Sequence, residues 1–197
     1  MGVNDNETWP AQFCSHIENG VNLNFGTGGR SNDFICRCLL SYFDLIKPDL
    51  VLIMYTFPPR REVYTEDNSI EPYIPTKVWG KLLETEEGQL IQNSLDILQN
   101  KNSDFINWYK NHMLIKLFLE SKKCNWLWNG KHLLTDYTEF NRFSVLDNYT
   151  SDLGSDDMHP GPKNHQHHAR VLYDYILMKF PNYLPNPNEE NNRAKLI

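Results

Sequence analysis

The chain has 197 residues, of which 40% are hydrophobic and 13% aromatic, which is enough apolar material for one core and excludes a disordered chain. Its net charge of −6 excludes the clustered basic surface that nucleic-acid binding needs, since the densest basic spot is the pair Arg60-Arg61. No apolar run approaches the roughly 18 residues of a membrane span, and the opening Met1-Gly2-Val3-Asn4-Asp5-Asn6-Glu7 lacks the basic start and apolar stretch of a secretion signal.

A cytoplasmic setting is therefore expected, and the cysteines agree with it. Cys36 and Cys38 lie in a helical pattern, where residues two apart point about 200° from each other. That spacing fits neither a disulfide nor a zinc knuckle, so these residues, with Cys14 and Cys124, are read as reduced thiols.

In chain order, Thr8-Trp9-Pro10 starts a helix that should run to about Asn19 and stop at Gly20. Val21–Phe25 reads as a short strand, and Gly26-Thr27-Gly28-Gly29 as a turn that needs backbone freedom. Ser31-Asn32-Asp33 caps a helix over Asp33–Ile46, with Phe34, Ile35, Leu39, Phe43 and Ile46 at helical spacing. Pro48 ends it, and Leu50–Tyr55 is a continuous apolar run, the mark of a strand covered on both faces. Strand, turn, helix and strand make a β-α-β unit, hence a parallel sheet with a right-handed crossover.

Residues 56–85, broken by Pro58, Pro59, Pro72 and Pro75, read as a long loop with short pieces. Helices follow at Glu86–Gln99 and Ser103–Ser121, the first opened by the acidic group Glu84, Glu86 and Glu87. Cys124–Trp128 is a short strand, and residues 129–164 are irregular. A last helix spans Asn164–Phe180, with Ala169, Leu172, Tyr173, Ile176 and Leu177 on its apolar face. The expectation is one domain over residues 1–180 and a mobile Pro/Asn-rich tail over 181–197.

The sharpest chemical constellation is Asp156-Asp157-Met158-His159-Pro160, just before the last helix. An imidazole that moves protons needs a partner to fix its tautomer and stabilise the imidazolium. A carboxylate three residues earlier in a tight turn can serve, although spacing alone fits helix capping or solvent exposure at least as well.

Asp156-x-x-His159-Pro160 before a C-terminal helix resembles the last signature block of the SGNH (GDSL-like) hydrolases. Asn22-Leu23-Asn24-Phe25-Gly26-Thr27-Gly28-Gly29 resembles their second block. The order of elements from Val21 to the last helix agrees, and phage- and virus-encoded members share a Trp-Pro helix, a Gly-x-Ser-Asn loop and a strand ending in Thr-x-Pro. The resemblance implies an α/β chain with a three-layer α/β/α, flavodoxin-like fold around a short parallel sheet. It implies hydrolysis of a carboxylester or O-acetyl group on a small molecule or glycan, without a cofactor or metal. Under it His159 is the base, Asp156 its partner, and the Gly29 N–H an oxyanion donor.

Two departures stand beside the resemblance. The family's third block carries an oxyanion-hole Asn after a strand, but here the strand runs into Thr56-Phe57-Pro58-Pro59-Arg60-Arg61. Proline offers no N–H, which leaves Thr56 or Arg60 as donors. Alternatively the two arginines are a solvated pair that meets Glu62. The family's nucleophile, the Ser of Gly-Asp-Ser on the first central strand, is missing from these residues, so that strand and block are either lost or lie upstream. Ser31, close to Gly29, is the nearest substitute, and its position also fits a helix cap.

Other readings follow from the same residues. Without a nucleophile, the chain is a non-catalytic binding module on the family fold. A metal-dependent hydrolase would use His159, His165, His167 and His168 with Asp156 and Asp157, although these histidines equally suit the polar first turn of the last helix. Trp108, Tyr109, Trp126 and Trp128 either stack a sugar or base, or form core.

Overall fold

Parallel pairing of two short apolar strands organises the middle of the chain. In the computed structural model, which describes residues 3–64, 70–74, 77–78, 84–129, 152–155 and 159–180, Leu50–Met54 forms β1, and Asn125–Asn129 pairs with it in parallel as β5. The protein is mixed α/β and mostly helical. It divides into two compact units, a terminal one (Met1–Gly26 with Phe143–Ile197) and a central one (Thr27–Arg142).

In the central unit, helix α2 (Asn32–Ile46) and helix α4 (Lys101–Ser121) pack together. The period of two along a strand decides what they cover. Val51 and Ile53 of β1, the following Tyr55, and Trp126 and Trp128 of β5 share one face and join the core with Cys36, Phe43, Trp108, Ile115 and Leu119. Met54 on the opposite face is 41% exposed, so β1 is not covered on both sides along its whole length. Phe43 and Phe118 meet edge-to-face at 5.2 Å. The tryptophans are core: Trp108, Trp126 and Trp128 are all buried, and only Tyr109 is partly out. They surround His112, which is fully buried, stacked on Trp108 at 5.3 Å, edge-on to Trp128 at 5.1 Å, with its Nδ1 3.0 Å from the Tyr55 hydroxyl.

Residues 61–78 depart from the expected loop. Arg61–Tyr64 (β2), Ile70–Ile74 (β3) and Lys77–Val78 (β4) form an antiparallel sheet in the order β2-β3-β4. Pro72 lies inside β3 opposite Glu62 of β2, outside the two residues, Tyr73 and Ile74, that pair with β4. Helix α3 (Glu86–Leu98) is capped by the Thr85 hydroxyl accepting from the Gly88 N–H, with Glu86 and Glu87 in its first turn. Helix α4 begins two residues earlier than expected, at a reciprocal cap between Asn100 and Ser103.

In the terminal unit, helix α1 (Trp9–Cys14) packs on helix α5 (Pro162–Lys179). Phe13 meets Tyr173 edge-on at 6.3 Å, and Ala169, Leu172 and Ile176 are fully buried. Helix α1 is five residues shorter than expected; the chain goes on as turns to Asn19, whose φ is +60°.

The expected strand Val21–Phe25 does not form. These residues are irregular and exposed, Val21 at 78%. A strand needs a partner edge. β1 takes β5 on one side, and beyond its end the backbone of Thr56 is held by the Asn32 side chain. The parallel neighbour of β1 is therefore far downstream instead of just upstream of α2. The expected tail over 181–197 lies outside the described residues.

Candidate functional site

The start of α5 is built from a segment ten residues upstream. Its N-cap, Gly161, has no side chain to cap with, and Pro162 stands at N1, so the first N–H groups of the helix need an outside acceptor. Asp152 supplies it. One carboxylate oxygen accepts from the Lys163 N–H at 2.8 Å and the Asn164 N–H at 3.2 Å, where the helix dipole favours a negative charge. The Asn164 amide donates back to the Asp152 carbonyl.

Three further contacts close this turn. The Gly161 N–H donates to the Asp152 carbonyl at 3.0 Å, the Gly154 N–H donates to the His159 carbonyl at 2.8 Å, and Leu153 bridges Pro160. Gly161 is required by the closeness: a Cβ there would lie 2.6 Å from both the Asp152 carboxylate and the Leu153 carbonyl oxygen. His159 thus has its backbone fixed while its imidazole is exposed. Asp156 and Asp157 lie outside the described residues, so the partner of His159 is not placed.

Of the histidines of α5, His167 is exposed, while His165 and His168 belong to packing. His165 Nδ1 accepts the Trp9 N–H at 3.1 Å, and His168 sits edge-on to the Trp9 ring at 5.3 Å. Burial pushes the His165 imidazole down from its usual range, and burial with the neighbouring His165 and His167 pushes His168 to about 4. A nitrogen engaged by a backbone donor has no lone pair left for a metal. The metal reading loses His165 on that ground; among the described residues no cluster of three or more His, Cys, Asp and Glu side chains is placed to hold an ion.

The glycine loop and the end of β1 hold the remaining candidates. Gly29 has φ +78° with open space around its Cβ position, so glycine is needed there for backbone sign, not for room. Ser31 is buried, and its Oγ accepts the Phe34 N–H at 3.1 Å as the N-cap of α2. Asn32, also fully buried, grips the Thr56 backbone in both directions: its Nδ2 donates to the Thr56 carbonyl at 3.2 Å, and its Oδ1 accepts the Thr56 N–H at 2.9 Å. That bond occupies the Thr56 N–H, leaving its hydroxyl, which accepts from Arg60 Nη1 at 2.6 Å.

The two arginines differ. Arg60 is half-buried, its guanidinium 5.5 Å from the Phe57 ring centre, and burial lowers its pKa. Arg61 is not solvated and does not meet Glu62. It pairs with Asp104 at 2.8 Å and donates to the Pro58 carbonyl, because Asp104 at the start of α4 is buried and needs a cation. Glu62 instead takes a forked pair from Arg37 at 3.1 and 2.7 Å. Asn32 and Asp152 are the positioning residues that sequence reasoning missed. The bare Gly161 cap was the one available signal for Asp152, and the Gly-x-Ser-Asn pattern marked the position of Asn32 without its role. Comparison with family models, curated proteins and solved structures gave no match to this chain.

Proposed function

We propose that the chain carries the acid–base half of an SGNH-type ester hydrolase, with His159 as the proton-transfer group. The observation that carries this is an exposed imidazole on a turn tied at both ends to the start of α5. A proton-transfer group must be reachable and held still. The proposal includes Asp156 as the orienting carboxylate and the three-layer flavodoxin-like arrangement of that family. The parallel β1–β5 pair supports the last point without reaching it.

In this reading His159 takes the proton from an attacking hydroxyl, the hydroxyl oxygen bonds to the ester carbonyl carbon, and the proton passes to the departing alkoxide. The substrate is a carboxylester or an O-acetyl group on a small molecule or glycan. The nucleophile is unassigned, since the Ser31 hydroxyl serves as a cap.

The test is turnover of a short acyl ester by the chain. His159→Ala should lower kcat/KM by about a hundred- to ten-thousand-fold. Turnover untouched by that substitution would refute the role. A second reading, a binding module on the same fold, is favoured by the engaged Ser31 hydroxyl and Thr56 N–H. It predicts no turnover, no labelling by a fluorophosphonate, and ligand binding unchanged by His159→Ala.

A further inference from the structure

Helix α4 is apolar on two opposite sides, and the core uses one of them. At about 100° per residue, Trp108, Asn111, His112, Ile115 and Leu119 share one side, and all are buried. Opposite them, Ile106, Lys110, Met113, Leu117 and Glu120 fall within an arc of about 80°. Ile106 is 65% and Leu117 57% exposed, Met113 is half-buried, and Tyr109 and Leu114 border the stripe at 38% and 46%. A helix packed on a core by one side ordinarily carries polar residues on the other. Large apolar side chains gathered there mark an interaction face.

The charges in the stripe say what covers it. Lys110, Met113, Leu117 and Glu120 are spaced three, four and three residues apart. That order reads the same from either end, except that a cation closes one end and an anion the other. A second α4 laid antiparallel sets its Glu120 against Lys110, its Leu117 against Met113 and, by two-fold symmetry, its Lys110 against Glu120. A parallel copy would set like charge against like. Both charged side chains are at hand, Lys110 at 56% and Glu120 at 53% exposure. Their ionic contacts within the chain are long, 3.8 Å from Lys110 to Asp33 and 3.9 Å from Glu120 to Lys116, and exposed pairs of this kind contribute little. The Lys110 ammonium also donates to the Asn107 Oδ1 at 2.8 Å, an uncharged partner that does not neutralise it.

We infer that the outer face of α4 is a self-association surface on which a second copy of this chain docks antiparallel. Met113 and Leu117 of both copies form its centre, Tyr109 and Leu114 lie along its sides, and a Lys110–Glu120 pair closes it at each end. The stripe from Ile106 to Glu120 is roughly 22 Å long. One helix pair of that length is a small interface, so the dimer is weak, with a Kd on the order of 10–100 μM. This surface does not depend on the hydrolase reading, because association is measured without turnover.

The experiment is sedimentation velocity of the intact chain from about 10 μM to about 1 mM. The wild type should pass from monomer to dimer over that range, and less readily in high salt. Lys110→Glu alone and Glu120→Lys alone each oppose like charges at both ends and should weaken association by roughly tenfold or more. Mixed in equal amounts, the two variants should associate about as tightly as the wild type, because each then meets the opposite charge at both ends. Leu117→Asn, which alters no charge, should weaken association by roughly tenfold or more. Circular dichroism verifies that each variant is folded. A wild type that stays monomeric at about 1 mM overturns the proposal. So does wild-type association in Leu117→Asn or in either charge variant, and so does a mixture that associates no better than its components.

Discussion

Acid should weaken the central unit through one histidine. Burial among the aromatic rings, and then the charge of Lys116, lower the His112 pKa from 6.5 to about 4, so the folded chain keeps this imidazole neutral. Below pH 6.5 the unfolded chain takes up a proton that the folded chain refuses. Stability from this group is therefore complete above pH 6.5, falls as the pH drops towards 4, and levels off below that. From the two pKa values the loss is roughly 1 kcal/mol at pH 5.5 and roughly 2–3 kcal/mol at pH 4.5. Urea unfolding followed by tryptophan fluorescence at pH 7.5, 5.5 and 4.5 reads it, because Trp108, Trp126 and Trp128 share the core with His112. The comparison is with His112→Gln, which shares every carboxylate and the buried His168. The variant should start less stable and lose less on acidification. Parallel losses in both proteins would show that His112 is not held neutral, and the reasoning would fail.

The clamp at α5 makes two expectations. Gly161→Ala forces a Cβ to within 2.6 Å of two oxygens and should cost about 1–3 kcal/mol; unchanged urea midpoints would count against the close approach. Asp152→Ala removes the acceptor of two helix N–H groups and should cost about 1–2 kcal/mol, with faster amide exchange at Lys163 and Asn164. In the central unit, Asn32→Ala leaves both Thr56 backbone groups without their partner and should lower stability by about 2–3 kcal/mol in chemical denaturation. Arg61→Ala strands the buried Asp104 charge and should cost about 3 kcal/mol, while Arg61→Lys recovers part of it.

Periodic burial was the legible part of the fold. The runs that became α2, β1, α3, α4, β5 and α5 were found to within a few residues because apolar spacing reports which face meets a core. Val21–Phe25 shows the limit of that signal: a run of strand-forming residues does not say whether an edge is free to pair with it. Pro72 shows another, since a residue that reads as a breaker lies inside β3. At the candidate site, the αL backbone of Gly29 and the cap at Ser31 were legible because both are local. Asn32 and Asp152 were not, because each satisfies backbone groups distant in sequence. His165 and His168 were correctly placed on one helix, but helical spacing does not reveal that Trp9 faces them.

The pairing of β1 with β5 also sets how the central unit must assemble. Joining Leu50 to Asn125 closes a loop that contains β2 to β4, α3 and α4, and the entropy of that closure must be met before either strand gains a partner. Helices α3 and α4, with local caps, can form on the microsecond scale. The strand pair must wait for them, and so must the aromatic core it completes. Refolding should therefore show helical circular dichroism recovering ahead of tryptophan burial, with Trp126 and Trp128 reporting the slower step.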